Sequence, residues 1–108
     1  MSEISCDVIV IGAGPAGEVA AGRLADGGLE VVVVENHLVA GECSYYACMP
    51  SKALLRPGDL IDEARRIPGV KAALTGDIDV ASALARRAEV IHDLDDSAQL
   101  PWLEERGI

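Results

Sequence analysis

The sequence predicts an α/β fold: a parallel βαβ unit of about thirty residues followed by further helices. Three observations predict it. Cys6 to Ile11 is a largely β-branched apolar run that ends on Gly12; Glu18 to Asp26 is Ala-rich and stops at Gly27-Gly28; Val31 to Val34 is a second uniformly apolar run that closes at Glu35-Asn36. An unbroken apolar run, rather than an alternating one, marks a strand buried on both faces, so the first strand is expected to be central. Between the strands, Gly12-Ala13-Gly14-Pro15-Ala16-Gly17 forms the turn. A helix from about Pro15 to Asp26 follows it, because Pro suits the first helical position and Gly suits the residue after the last. Two parallel strands joined by a helix cross over in the right-handed sense.

Beyond the second strand, residues 37–46 are small and mixed in composition and are expected to form a loop. From Cys48 the chain reads as a helix interrupted near Pro57-Gly58 and resumed through Arg66. A second long helical stretch runs from about Asp79 to Asp95, with Val80, Leu84, Ala88 and Ile91 on one face. A short helix over Pro101 to Arg106 closes the reading. No repeat, linker or low-complexity tract interrupts the chain, which is treated as one unit, 1–108.

At 108 residues the chain has room for one small domain. It is 50% hydrophobic yet has no Phe, one Trp and two Tyr, so its core is expected from Ala, Val, Leu and Ile. Eighteen acidic against nine basic residues give a net charge of −9, which repels phosphate backbones and anionic lipid and argues against nucleic-acid or membrane partners. The longest apolar runs fall far short of the roughly 20 residues of a bilayer span. Met1 to Asp7 lacks the basic region and cleavage site of a secretory signal, and the chain is read as cytoplasmic. Its three cysteines, an odd set in that setting, point to metal or redox chemistry rather than to a disulfide framework.

Two constellations carry chemistry. In Gly12-x-Gly14-x-x-Gly17, the first glycine permits a tight turn, the second clears the approach of a pyrophosphate, and the third lets helix and strand pack closely. The helix N-terminus then offers free N–H groups and its positive dipole end to the anion. Glu35, 23 residues after Gly12, stands at the end of the second strand, where a carboxylate accepts hydrogen bonds from ribose hydroxyls. The combination indicates a dinucleotide site; the competing reading is a tight strand-to-helix turn and nothing more. The second constellation is Cys43-Ser44-Tyr45-Tyr46-Ala47-Cys48. Five residues apart on a regular helix, two Cα atoms are roughly 8 to 9 Å distant, whereas a disulfide tolerates at most about 6.8 Å. If the two cysteines bridge, the backbone around Cys43 leaves ideal helix and the bond sits in a strained, readily reduced turn. A metal site would need four ligands, and His37 and His92 show no matching spacing, so no metal-ligating set is assigned. Two inert thiols are the third possibility.

Taken together, the glycine motif, Glu35, Gly41-Glu42-Cys43 and Cys48-Met49-Pro50-Ser51-Lys52 resemble the N-terminal part of class I pyridine nucleotide-disulfide oxidoreductases, the class of dihydrolipoamide dehydrogenase, glutathione reductase and mercuric reductase. The resemblance implies a Rossmann-like FAD-binding unit. It puts the FAD pyrophosphate on Gly12, Gly14, Pro15, Ala16 and Gly17 and the adenosine ribose on Glu35, with Asn36, Gly41 and Glu42 among the cofactor contacts. It also makes Cys43 the interchange thiol that attacks a disulfide substrate, Cys48 the thiol lying against the flavin, and Lys52 a cation near the flavin's reactive edge. Electrons would pass from NAD(P)H through FAD to a disulfide or related substrate, in a homodimer.

Three departures from the family pattern stand out. Ala40-Gly41-Glu42-Cys43 replaces the frequent Gly-Gly-Thr-Cys and sets a carboxylate beside the thiol; Ser44-Tyr45-Tyr46-Ala47 replaces Leu-Asn-Val-Gly; and full family members are several times longer. The chain is therefore expected to be a truncated FAD/NAD(P)-binding domain, inactive as a reductase by itself. The alternatives are a nucleotide-binding module without turnover or a non-functional fragment. The remaining residues receive plain readings: Cys6 packs in the strand core, His37 is solvated, His92 and the Asp93–Asp96 cluster form the solvated end of a helix, and Trp102 caps the core.

Overall fold

The computed structural model describes residues 2–108. Its strands, β1 (Val8–Ile11) and β2 (Val31–Val34), pair in parallel with Val8 opposite Val31 and Ile11 opposite Val34, and helix α1 (Pro15–Asp26) connects them. The helix bounds are those the Pro and Gly signals predict. Gly28, at φ +89°, turns the chain out of α1 while its N–H bonds to the Ala25 carbonyl at 2.9 Å. The two strands begin together because the Glu30 carbonyl accepts from Asp7 and Val8 (2.9 and 3.1 Å) and the Asp7 carboxylate accepts from the Glu30 N–H at 2.8 Å.

The sheet differs from expectation in its burial. Val8 and Val10 face α1 and are half-buried, but Ile9 and Ile11 on the other face are 60% and 87% exposed. α1 covers one face, and among the described residues no element covers the other. The run of apolar residues thus records two apolar faces, only one of which is packed. Cys6 lies ahead of β1 and is half-buried rather than part of a strand core.

Helix formation after β2 also departs from the sequence reading in three places. Residues 37–46 are not all loop: Gly41–Tyr45 form a short helix, α2, entered through Ala40 and Gly41 in left-handed backbone (φ +82° and +65°). Pro57-Gly58 does not interrupt the next helix, and α3 runs unbroken from Cys48 to Arg66. Proline's fixed φ is itself helical, and the lost hydrogen bond is a local penalty that the packing of α3 against the next helix, α4 (Val80–Val90), absorbs. α4 starts where expected, with Asp79 capping it by accepting from the Ala81 and Ser82 N–H groups at 3.0 and 3.3 Å. It ends at Val90 and not near Asp95, because His92, Asp93 and Leu94 take left-handed φ of +53°, +51° and +65°. Of its predicted apolar face, Ile91 is buried and Ala88 half-buried, while Val80 and Leu84 are exposed. The chain closes with α5 (Leu100–Glu104).

Buried apolar residues are few and mostly small: Ala13, Ala21, Val31, Ala40, Tyr45, Ala53 and Ile91. The dimensions, 66 × 27 × 19 Å, follow from this, since the α3–α4 pair projects as an arm from the βαβ unit. One continuous buried cluster joins Ala40, Tyr45 and Ile91 with Leu38 beside them. Trp102 is half-buried against Gly22 of α1, and Arg106 stacks 4.5 Å over its ring while reaching Asp26 at 3.3 Å. No helix among the described residues is long and apolar enough to cross a membrane.

Candidate functional site

The three glycines of the motif do three separate jobs. Gly12, at φ +96°, gives its N–H to the Val34 carbonyl at 2.8 Å and turns the chain from β1 toward α1. A Cβ on Gly17 would sit 2.9 Å from the Gly12 carbonyl carbon and closer still to its oxygen, so this glycine is a packing requirement. A Cβ on Gly14 would meet no protein atom within 4 Å. That space is open, at the start of a helix whose first turn has no side-chain cap and whose early N–H groups have no intrahelical acceptor. A second helix start lies against the first: Gly41 packs so closely on Gly14 that an added Cβ would lie 2.7 Å from the Gly14 Cα, and the Ala40 N–H donates to the Ala13 carbonyl at 2.8 Å.

Glu35 closes the other side. Its Oε2 accepts from the Ala13 N–H at 2.7 Å, and its Oε1 accepts from the N–H groups of Asn36 and His37 at 2.8 and 2.9 Å. These bonds, the one from Ala13 foremost, hold the carboxyl below the usual carboxylate range. A carboxylate offers about four lone-pair sites. Three are taken, which leaves one on Oε2, room for one ribose hydroxyl rather than two.

Gly14, Glu35, Asn36, Gly41 and Glu42, all singled out by sequence, meet with His37, Leu38 and Tyr46 around a pocket of about 470 Å³, within the usual range for small-ligand sites. A phosphate-bearing nucleotide fits this lining: an open glycine, uncapped N–H groups at a helix start, and a carboxylate with one free acceptor. Glu42 is the discordant member, an exposed carboxylate on the same wall. His37 is exposed, as expected, yet not free of neighbours: its ring meets Tyr46 edge to face at 5.7 Å, with Nε2 3.4 Å from the Tyr46 hydroxyl. Sequence reasoning missed Tyr46, although the pairing of two of the chain's three aromatics at Tyr45-Tyr46 was the available signal.

The two cysteines lie outside this pocket, on either side of a break. α2 ends at Tyr45, and Tyr46 and Ala47 leave helical geometry while both give their N–H to the Glu42 carbonyl (2.8 and 2.7 Å) before α3 begins at Cys48. The departure from ideal helix that a bridge would require is therefore present, one turn later than Cys43 itself. All three cysteines are free thiols here; Cys48 is exposed and Cys43 half-buried. A hydrogen bond with the Cys48 thiol, then burial, push the Cys43 thiol up, against the pull of the Cys48 N–H and the Lys52 charge. Lys52, one turn past Cys48, borders a shallow groove between α3 and α4 with Met49, Arg56 and Arg86.

In the Asp93–Asp96 cluster, Asp93 and Asp95 are exposed, as is His92, in keeping with a solvated segment, and only Asp96 departs by being half-buried. Asp96 accepts from the Val39 N–H at 2.7 Å across 57 residues of sequence, and Asp95 accepts from Ser97 at 2.9 Å. Among the described residues no group of three His, Cys, Asp or Glu side chains is placed to hold a metal ion.

Comparison with known proteins adds an independent line. The family model described as pyridine nucleotide-disulphide oxidoreductase matches residues 6–99. Among curated relatives, a dihydrolipoyl dehydrogenase of Haemophilus influenzae is 52% identical over 64 residues, 58% of this chain and 13% of that protein. One from Rhizobium etli is 40% identical over 74 residues, 68% of this chain and 15% of the relative. One from Halobacterium salinarum is 38% identical over 88 residues, 82% of this chain and 19% of the relative. The chain thus spans less than one fifth of the length of each of these relatives.

Proposed function

This chain belongs to the pyridine nucleotide-disulphide oxidoreductase family, and we propose that within it residues 1–108 form part of an FAD-binding domain that carries a redox-active Cys43–Cys48 pair. The observation that carries the reading is the pocket, where an open Gly14, an uncapped helix start and Glu35 converge. In this reading the N–H groups at the start of α1 hold the pyrophosphate, Gly41 keeps the second helix start close, and the free lone pair of Glu35 Oε2 takes a ribose hydroxyl. FAD, if held there, would supply two-electron chemistry between NAD(P)H and the disulfide.

The chain's own thiols then do the exchange. Reduction of the Cys43–Cys48 disulfide takes two electrons and two protons. Cys43 loses its proton and attacks one sulfur of the substrate disulfide, releasing the first substrate thiolate. Cys48, losing its proton, attacks the Cys43 sulfur in turn, re-forming the internal disulfide and releasing the second substrate thiolate, and the two protons given up by the cysteines end on the two substrate thiolates. The neighbouring Cys48 thiol and burial push the Cys43 thiol up, and the Lys52 charge pulls it down. Homodimer formation and a cytoplasmic location belong to the same proposal.

The test is a titration of the purified chain with FAD, followed by flavin fluorescence, beside Gly14→Val. Saturable binding lost in the variant supports the site; equal retention by both rejects it. Non-reducing peptide mapping after mild oxidation reads the thiols, and a Cys43–Cys48 bridge with Cys6 free is the expected result.

A further inference from the structure

We propose that Asp96 is a positioning residue for the thiol pair: through the Val39 N–H it fixes the corner at residues 39–41 from which α2 carries Cys43 to Cys48. The inference rests on the redox reading of those cysteines. Three observations converge on that corner. Ala40, buried and in left-handed backbone at φ +82°, is followed by Gly41 at +65°, and an L-residue in that conformation is strained and persists only where neighbours hold it. The corner is held from both sides, by Ala40 N–H on the Ala13 carbonyl at 2.8 Å and by Val39 N–H on Asp96 Oδ2 at 2.7 Å. Beneath it, Tyr45 is 2% exposed and packs with Ala40 and with Ile91 from the end of α4. Burial, then the charges of Asp96 and Asp95, push the Tyr45 hydroxyl up.

Cys43 sits between these fixed points, two residues after Gly41 and two before Tyr45. The entry to the helix that carries it is therefore tied to a segment more than fifty residues away in sequence, while the break at Tyr46 and Ala47 sets where α3 begins. Releasing the Val39 N–H lets the corner relax and spreads the distances between the two sulfurs, so closure of the disulfide becomes less favourable.

The test is the equilibrium of the chain with a glutathione buffer: protein disulfide plus two glutathione thiols gives two protein thiols plus one glutathione disulfide. In Asp96→Ala the equilibrium is expected to move about tenfold toward the dithiol, equivalent to about 30 mV. Asp96→Asn, which keeps an acceptor oxygen, is expected to stay within about twofold of the parent, as is Asp93→Ala on the neighbouring turn. Asp96→Ala within twofold of the parent overturns the inference, and so does an Asp96→Asn or Asp93→Ala shift as large as that of Asp96→Ala. If far-UV circular dichroism shows Asp96→Ala unfolded, Asp96→Leu, similar in shape and without an acceptor, is scored by the same limits. Should the parent form no Cys43–Cys48 disulfide at all, the redox reading fails on its own. Positioning is then scored by the alkylation rate of Cys43, expected to rise at least threefold in Asp96→Ala; an unchanged rate overturns it.

Discussion

Gly17→Ala and Gly14→Ala separate a glycine needed for packing from one needed for a ligand. At Gly17 the new Cβ would sit 2.9 Å from the Gly12 carbonyl carbon and closer to its oxygen, against a carbon contact distance of about 3.5 Å. Backbone meets backbone there, so α1 must move away from β1 by more than half an ångström. Overpacking of that kind costs about 1 to 3 kcal/mol, and with backbone on both sides the upper end applies. Alanine's better helix propensity returns roughly 0.5 to 1 kcal/mol. The net loss is about 2 kcal/mol, or on the order of 10 °C in melting temperature for a chain of this size. At Gly14 the backbone is extended (φ −76°, ψ −178°) and the space empty, so alanine is tolerated. In the proposed reading its Cβ occupies the approach of the phosphate, and FAD affinity is expected to fall about tenfold or more, about 1.4 kcal/mol. Thermal melts by circular dichroism and FAD titration, run on both variants, decide. A Gly17→Ala melt within about 2 °C of the parent, or a Gly14→Ala melt as depressed as that expected for Gly17→Ala, would refute the assignment.

Three further outcomes are expected. Without FAD, alkylation at neutral pH labels exposed Cys48 before Cys43, whose thiol is half-buried and pushed up by its partner, and added FAD protects Cys48; mass-spectrometric peptide mapping gives the order, and Cys43 labelled first contradicts it. Glu35, Asp79 and Asp95 all have lowered carboxyl pKa values, chiefly from backbone N–H donors at Glu35 and Asp95 and from Ser82 at Asp79. Their stabilisation is full above the ordinary carboxylate value of about 4 and is lost as pH falls through the lower folded values, so an acid titration followed by circular dichroism steepens below about pH 4 and is flattened in Glu35→Gln. Trp102→Ala removes the half-buried ring between Gly22 and Arg106 and lowers stability by about 2 kcal/mol, roughly half the cost of truncating a fully buried Trp; urea denaturation monitored by circular dichroism measures it, and an unchanged midpoint would show that α5 does not brace α1.

Local signals settled the first third of the chain. The Gly12–Gly17 motif, Pro15 at the first helical position and Gly27-Gly28 at the end determine β1, α1 and β2, because steric rules at glycine and proline act within a few residues. Of the residues singled out for a cofactor, Gly14 and Glu35 by motif and Asn36, Gly41 and Glu42 by family resemblance, all five line one pocket, whereas Gly12, Pro15, Ala16, Gly17 and Lys52 do not line it. The same local reasoning overran at Pro57, where packing of α3 against α4 outweighs a single lost hydrogen bond, and at Val90, where three left-handed residues end a helix that the apolar spacing would have carried further.

What the sequence by itself determined, then, is which residue types stand where: the glycines of the turn into α1, the carboxylate that ends β2 and two thiols five residues apart. Tertiary structure alone decided how that site is held. The Ala13 N–H reaches Glu35 across 22 residues, His37 leans on Tyr46, and Asp96 reaches Val39 across 57 residues. None of these has a local signature, since a carboxylate's partner is whichever donor folding brings within about 3 Å, and the sequence around an aspartate is the same whether that donor is water or a distant backbone N–H.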